Sequence, residues 1–218
     1  MARRAHARSR GTRGVRIGVD LDDVVAECAV PYLRAFADRF RLELPDEDLG
    51  WQTLARIEEV SGEEKDRFRI ALYDGKFFSK LEPYEDCPTI VERIADAGHE
   101  IYFITARAER RRVVTETWLR EKGLIQHARA VHLKPHGDFD PGVPPGRYDA
   151  TSSAKYKVRL AKELELDAFC EDDVLIARSL AEAGIRVWLF DHTWNRDLAH
   201  PNITRVATWT DLATELGV

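Results

Sequence analysis

Val15-Arg16-Ile17-Gly18-Val19-Asp20-Leu21-Asp22-Asp23-Val24 runs a short apolar strand straight into three carboxylates. Acids crowded at the end of a buried strand repel one another. Such a cluster is stable only beside a cation or with some of its acids protonated. Mg²⁺ answers that need, because it takes oxygen ligands and pairs with phosphate. The plainer reading is a strand that ends in a solvated acidic turn, and the rest of the chain weighs against it.

Outward from this stretch, short apolar runs recur at Ile101–Ile104, Ala130–Leu133, Ala168–Cys170 and Val187–Phe190. Helical patterns lie between most of them. Ile90, Val91, Ile94 and Ala95 share a face that stops at Gly98, and Val113, Val114, Trp118 and Leu119 share one that stops at Gly123. Val158, Ala161 and Leu164 mark a third helix, and Leu175, Ile176, Leu180 and Ala183 a fourth that stops at Gly184. Strands alternating with helices predict an α/β, Rossmann-like parallel sheet with helices on both faces, whose ligand sits at the carboxyl ends of the strands.

One segment breaks the alternation. Residues 26–84 read as helical, with Tyr32, Leu33, Phe36, Ala37 and Phe40 at spacings of three and four, and they are dense in aromatics: Trp51, Phe68, Tyr73, Phe77, Phe78 and Tyr84. An insertion directly after the first strand sits above that strand's carboxyl end. The expected organisation is therefore a disordered basic tail over residues 1–14, a core made of 15–25 and 85–218, and a small helical cap over 26–84. The aromatics read first as the core of that cap. The loop from Lys134 to Ser153 is rich in Pro and Gly and long for a compact domain.

Four features fall where phosphoryl transfer would need them. Asp20 and Asp22, two apart in an extended segment, point the same way, so one can attack phosphorus while the other handles a proton. The strand Ile101–Ile104 runs into Thr105-Ala106-Arg107, where a hydroxyl and backbone N–H groups can bind phosphate oxygens. Arg107 either helps or is a solvated helix-start residue. A lysine opens the helix before the fourth strand. Lys157 falls on the face set by Val158, Ala161 and Leu164, and Lys155 falls outside it. A lysine facing inward needs a buried anion, so Lys157 is chosen, with Lys155 as the alternative. Finally Ala168-Phe169-Cys170 ends in Glu171-Asp172-Asp173, a second acidic arm that parallel strands bring to the same edge as the first.

Composition bounds the rest. Apolar residues make up 44% of the 218 and charged residues 33%, a soluble globular balance without a run of membrane-spanning length. The net charge is −5. The first fourteen residues hold five arginines and no acid, so the remainder carries −10. An acidic body argues against nucleic acid as the main partner. The tail reads as disordered, with an organellar presequence or a nucleic-acid-binding arm as alternatives. Cys28, Cys87 and Cys170 are odd in number and widely spaced, which points to a reducing cytoplasm without disulfide or zinc. His132, His136 and His192 lack a convincing ligand spacing and read as core or solvated.

In this order, Asp20-Leu21-Asp22-Asp23-Val24, Thr105, an inward lysine and Glu171-Asp172-Asp173 resemble the four motifs of the haloacid dehalogenase superfamily. More narrowly, Phe77-Phe78-Ser79-Lys80-Leu81-Glu82-Pro83 resembles the FFxxLxP segment of the deoxyribonucleotidase family (5′-nucleotidase, deoxy, type C), and the segments Phe169–Asp172 and Leu189–Arg196 are similar to its later ones. The resemblance implies that Asp20 is the nucleophile of an aspartyl-phosphate and Asp22 the proton carrier. It also implies that Thr105 and Lys157 bind the phosphoryl group; Ala106 and Arg107, which follow Thr105, stay phosphate-binding candidates from the strand-end reading alone. Mg²⁺ is then held by Asp20, the backbone carbonyl of Asp22 and Asp172, with Glu171, Asp173 and Asp23 one shell out. The implied partner is a small phosphorylated substrate, a nucleotide above all, and Phe77, Tyr73 and Trp51 are candidates to stack on a base. Trp194-Asn195-Arg196 is a candidate rim contact.

Two departures mark this chain. Asp23 stands where the family often has Gly, and Tyr84-Glu85-Asp86-Cys87 replaces its small turn. A sugar phosphate fits the site as described, a catalytically silent phosphate-binding regulator would keep the fold, and a nucleic-acid end phosphatase is a further variant. A receiver domain shares the early acid pair, but its acceptor Asp lies at a later strand end, where this chain has Lys134-Pro135. Monomer and homodimer both remain open.

Overall fold

The structure is a computed structural model that describes residues 14–45, 49–135 and 149–218. The basic tail, all but Gly14, and most of the Pro/Gly-rich loop, His136 included, lie outside the described residues. Strands β1 (Arg16–Val19), β2 (Glu100–Ala108), β3 (Ala128–Lys134), β4 (Ala168–Glu171), β5 (Arg186–Phe190) and β6 (Ile203–Val206) form one sheet in the order β3-β2-β1-β4-β5-β6. Every pairing is parallel. The chain winds outward from β1 to β3, then returns to lay β4 on the other side of β1. That reversal sets the carboxyl ends of β1 and β4 side by side, where sheets wound in this way bind their ligands.

The helices α1 (Ala29–Phe40), α2 (Trp51–Arg56), α3 (Gly62–Asp74), α4 (Cys87–Asp96), α5 (Arg112–Glu121), α6 (Ala150–Glu163), α7 (Val174–Glu182) and α8 (Trp209–Leu216) complete the fold. Alternation along the strands sends side chains to two cores. Ile17, Val19 and Phe103 meet Ile90, Val91 and Ile94 of α4, Trp118 of α5 and Trp209 of α8. Phe169, Val187 and Leu189 meet Ala161 of α6 and Ile176 and Leu180 of α7. Gly18 looks onto the second core, where a Cβ would lie 2.5 Å from the Phe169 ring, so glycine lets that ring lie against β1.

The expected Rossmann-like sheet is present, with four differences. β6 is an added edge strand, too short and too polar to signal itself. β2 continues through Thr105-Ala106-Arg107 instead of breaking into a loop, and slips register against β3 between Thr105 and Ala108. α6 starts at Ala150, capped by Asp149, so Lys157 lies two turns inside the helix and does not open it. Two helices are rotated from their expected faces. Val113 is 79% exposed and Leu175 is exposed. On α5 the Trp118 indole donates to Leu81 O at 2.8 Å, which fixes the helix's rotation. On α7 the small Ala177 and Ala181 are buried, so the inner face shifts toward them. The stops at Gly98 and Gly184 hold, both with φ +86, a left-handed helix end that glycine adopts without strain.

α1, α2 and α3 all lie between β1 and α4 in the chain. Tyr32 is the centre of their packing, with ring centroids 5.2 Å from Trp51, 5.5 Å from Phe68, 5.9 Å from Tyr73 and 6.5 Å from Phe77. The turn after β1 is not solvated. Leu21, Val24, Val25 and Ala26 are fully buried, Trp209 Nε1 donates to Val24 O at 2.9 Å, and Tyr84 N donates to Val25 O at 2.9 Å. No described helix is long and apolar enough to cross a membrane.

Candidate active site

β1 and β4 are neighbours, and Asp20 N donates to Cys170 O at 3.1 Å. That one bond sets the two acidic arms side by side. Oxygens of Asp20, Glu171 and Asp172 lie within 4.8 Å of one another, and all three residues are buried. Lys157 reaches the cluster from α6, with Nζ 2.7 Å from Glu171 Oε2 and 3.0 Å from Asp20 Oδ1. The second contact is an ion pair without hydrogen-bond alignment, since Asp20 Oδ1 is buried and accepts no aligned hydrogen bond. Lys155 is exposed. Of the two candidate lysines, the structure brings only Lys157 to the carboxylates.

Burial governs the charge states. It pushes Asp20 up from the ordinary carboxylate range; Lys157 opposes the rise and Asp22 adds to it. It pushes Glu171 up to about 7 against the pull of Lys157, and Asp172 well above its usual value, helped by the charges of Asp23 and Glu171. Burial alone would lower Lys157, but Asp20 and Glu171 outweigh it and hold the ammonium protonated. Three buried carboxyls thus face one ammonium, and ionising all three leaves a deficit of two charges that either protons or a cation must fill. An all-oxygen donor set with an unsatisfied buried oxygen and that deficit fits a hard divalent cation.

Asp22 is elsewhere. Its carboxylate leaves the cluster and pairs with Arg107, whose Nε lies 3.2 and 3.1 Å from the two oxygens and whose Nη2 lies 2.6 Å from Oδ1. The guanidinium is buried against the Phe78 ring, 3.9 Å from its centroid, and near Trp118. Its burial would lower the pKa, but the Asp22 charge outweighs that. The solvated helix-start reading of Arg107 is therefore replaced by a buried clamp on Asp22 that also ties the insertion to β2. Thr105 is buried one strand over, its Oγ1 accepting from Arg107 N at 3.1 Å. Ala106 is half-buried between them.

Several expected roles move. Glu171 joins the carboxylate cluster itself instead of standing one shell out. Asp173 caps α7, accepting from Leu175 N and Ile176 N at 2.9 Å each. Asp23 turns away from the cluster; its Oδ1 accepts from Cys28 N at 2.8 Å and Ala29 N at 3.0 Å, and its Oδ2 from Trp51 Nε1 at 2.9 Å. It adopts φ 60, the left-handed turn that suits the Gly more usual there, and offsets that strain by capping α1. Burial lifts it to about 7 despite those N–H donors. Phe77 is 8% exposed and enclosed by Tyr32, Tyr73 and Phe78, so it belongs to the packing of the insertion. Cys28 lies beside Asp22, and burial raises its thiol well above the usual range, which makes it inert.

The segment after β5, expected only as a rim, bonds to the cluster. Trp194 Nε1 donates to Asp172 Oδ2 at 3.1 Å, and Asn195 Nδ2 donates to Asp172 O at 2.9 Å and Phe190 O at 2.8 Å. The His192 ring stacks on Trp194 at 4.3 Å and its Nε2 lies 2.7 Å from Asp23 O. Two signals in the sequence point to this segment: its place immediately after a strand of the sheet and the family likeness of Leu189–Arg196.

Residues 13–134, more than half of the chain, match the family described as 5′ nucleotidase, deoxy (pyrimidine), cytosolic type C protein. A nucleotidase from Clostridium acetobutylicum is 24% identical over 198 residues, covering 91% of each chain. Among solved structures, a haloacid dehalogenase-like hydrolase from Streptococcus pneumoniae superposes with a TM-score of 0.67 at 12% identity, covering 94% of this chain and 99% of its own. Protein tyrosine kinase A from Mycobacterium tuberculosis superposes at 0.70 with 16% identity, covering 95% and 100%. Likeness at that distance speaks for the fold alone.

Proposed function

This chain belongs to the 5′ nucleotidase, deoxy (pyrimidine), cytosolic type C family, a phosphoric monoester hydrolase of haloacid dehalogenase fold, and on that premise we propose a Mg²⁺-dependent phosphatase that dephosphorylates a deoxynucleoside or nucleoside monophosphate through Asp20. The observation that carries the reading is the convergence of Asp20, Glu171, Asp172 and Lys157 at one strand edge.

Asp20, Asp172, Glu171 and the Asp22 carbonyl would hold Mg²⁺. The ion would supply charge neutralisation at the phosphoryl oxygens. An Asp20 oxygen attacks phosphorus, the bond to the leaving oxygen breaks, and that oxygen takes the proton Asp22 holds from the water of the preceding turnover, a step in which the Asp22 carboxyl loosens from Arg107. Asp22 then takes a proton from water as the water attacks the aspartyl-phosphate, releasing inorganic phosphate and restoring Asp20. Arg107 sets the direction of the Asp22 carboxylate, and Lys157 and Thr105 meet charge on the phosphoryl group. The insertion α1–α3 acts as the cap, held over the site by the Arg107–Phe78 contact and the Trp51–Asp23 bond. The setting is a reducing cytoplasm.

Turnover of a panel of phosphate monoesters with Mg²⁺ tests the substrate. Deoxynucleoside monophosphates are expected to exceed sugar phosphates in kcat/KM by tenfold or more, about 1.4 kcal/mol. A sugar phosphate at the head of the panel would overturn the nucleotide assignment.

Proton competition offers a second check. Glu171 titrates near 7 in the folded protein, against roughly 4 for an unfolded glutamate. The stability this raised pKa contributes is full below the unfolded value and is lost as pH rises through 7. Cation binding needs the ionised acids, so saturating Mg²⁺ should raise the melting temperature more at pH 8 than at pH 5. His99, His132 and His192, lowered by burial, pull stability the other way with pH, and the Mg²⁺-induced difference separates the acids from them. An equal rise at both pH values would argue against the acids as cation ligands.

A further inference from the structure

We propose that Trp194 is a positioning residue for the carboxylate Asp172, and that Gly50, at the entrance to α2, is the seat that keeps its indole in place. The inference rests on the reading that Asp20, Glu171 and Asp172 hold a divalent cation. Trp194 Nε1 donates to Asp172 Oδ2 at 3.1 Å, which restrains the rotation of a carboxylate that belongs to the cluster. The indole is held from one side by the parallel His192 ring, 4.3 Å away with an interplanar angle of 2°. Gly50 lies close against it as well.

Gly50 has φ −171, extended backbone open to any residue, so glycine is not needed there for conformation. It is needed for room: a Cβ at Gly50 would lie 2.3 Å from Trp194 Cε3 and 2.4 Å from Gln52 Oε1. Gln52 Nε2 also donates to Thr193 Oγ1 at 3.1 Å. From below, Asn195 anchors the segment to Asp172 O, and Arg205 of β6 binds Asn195 Oδ1 at 2.7 Å and Asn195 O at 2.9 Å. A rigid turn thus connects the start of α2 to one carboxylate of the cluster, and how α2 sits decides how Asp172 is presented to a cation. Partners that orient a ligand carboxylate typically govern tenfold to a hundredfold in metal affinity.

The test is a titration of metal-free protein with Mn²⁺, the free ion followed by its electron paramagnetic resonance signal, with folding checked by circular dichroism. Trp194→Phe keeps a ring and removes the donor; Gly50→Ala touches no carboxylate and displaces the indole; Asp172→Asn removes a ligand. Roughly tenfold or greater weakening of Mn²⁺ binding is expected in both Trp194→Phe and Gly50→Ala, with Asp172→Asn weaker still. If Asp172→Asn fails to bind while both other variants bind as the wild type does, the cation reading stands and the positioning role is overturned. A wild type that binds no Mn²⁺, or an Asp172→Asn protein that binds as well as the wild type, would overturn the cation reading and this inference with it. Should Trp194→Phe not fold, Gly50→Ala decides, with Gln52→Ala as its control, since the new methyl meets the indole and the Gln52 side chain.

Discussion

Asp20→Asn is expected to lower kcat on an aryl phosphate by about a thousandfold or more, while the protein stays folded. The two halves of that expectation come from the same geometry. Asparagine keeps the shape of the side chain and the backbone bond to Cys170, but its amide does not attack phosphorus. It also removes one of three buried carboxyls that share a single ammonium. Repulsion inside the cluster falls, so the metal-free variant should melt no lower than the wild type. A variant that loses activity and stability together would point to general damage, and one that keeps activity within tenfold would move the nucleophile elsewhere.

Lys157→Met has the opposite signature. It leaves Glu171, fully buried with its Oε2 bonded to Nζ at 2.7 Å, without its counter-charge. Breaking a buried pair from one side costs about 3–5 kcal/mol, which for a chain of this length lowers the melting temperature by roughly 10 °C. Thermal melts of chelated protein measure it. Lys155→Met, two residues away on the exposed face of α6, should change stability by no more than about 0.5 kcal/mol. The pair of variants turns the choice between two lysines into a measurement, and equal melts for both would remove Lys157 from the site's charge balance.

Much of this was legible in the chain. The acidic ends of β1 and β4 could be placed together because parallel strands share an edge, and Lys157 could be preferred because helical spacing gives a direction. What escaped depends on long-range packing. Nothing local says that Glu171 rather than Asp173 enters the cluster; that is decided by β4 ending at Glu171 and by Asp173 being claimed as the cap of α7. Asp22 and Arg107 are 85 residues apart, and only the β1–β2 pairing makes them a clamp. Phe77 looked available because an aromatic in a cap reads the same whether it faces a ligand or Tyr32. The Trp194 bond to Asp172 has no local signature at all, since it joins turns that follow two different strands.

The place of β1 in the middle of the sheet also bears on how the protein is made. Its partner on one side, β2, is synthesised within the same half of the chain, but its partner on the other, β4, lies about 150 residues downstream, as the Arg16–Asp167 bond across a separation of 151 shows. At roughly 5–20 residues per second, that edge of β1 waits on the order of ten to thirty seconds on the ribosome with its hydrogen-bonding groups and half of an acidic cluster uncovered. An open apolar edge of that kind invites pairing with the wrong strand. The three carboxylates that follow β1 keep like charge at that edge until its neighbour arrives.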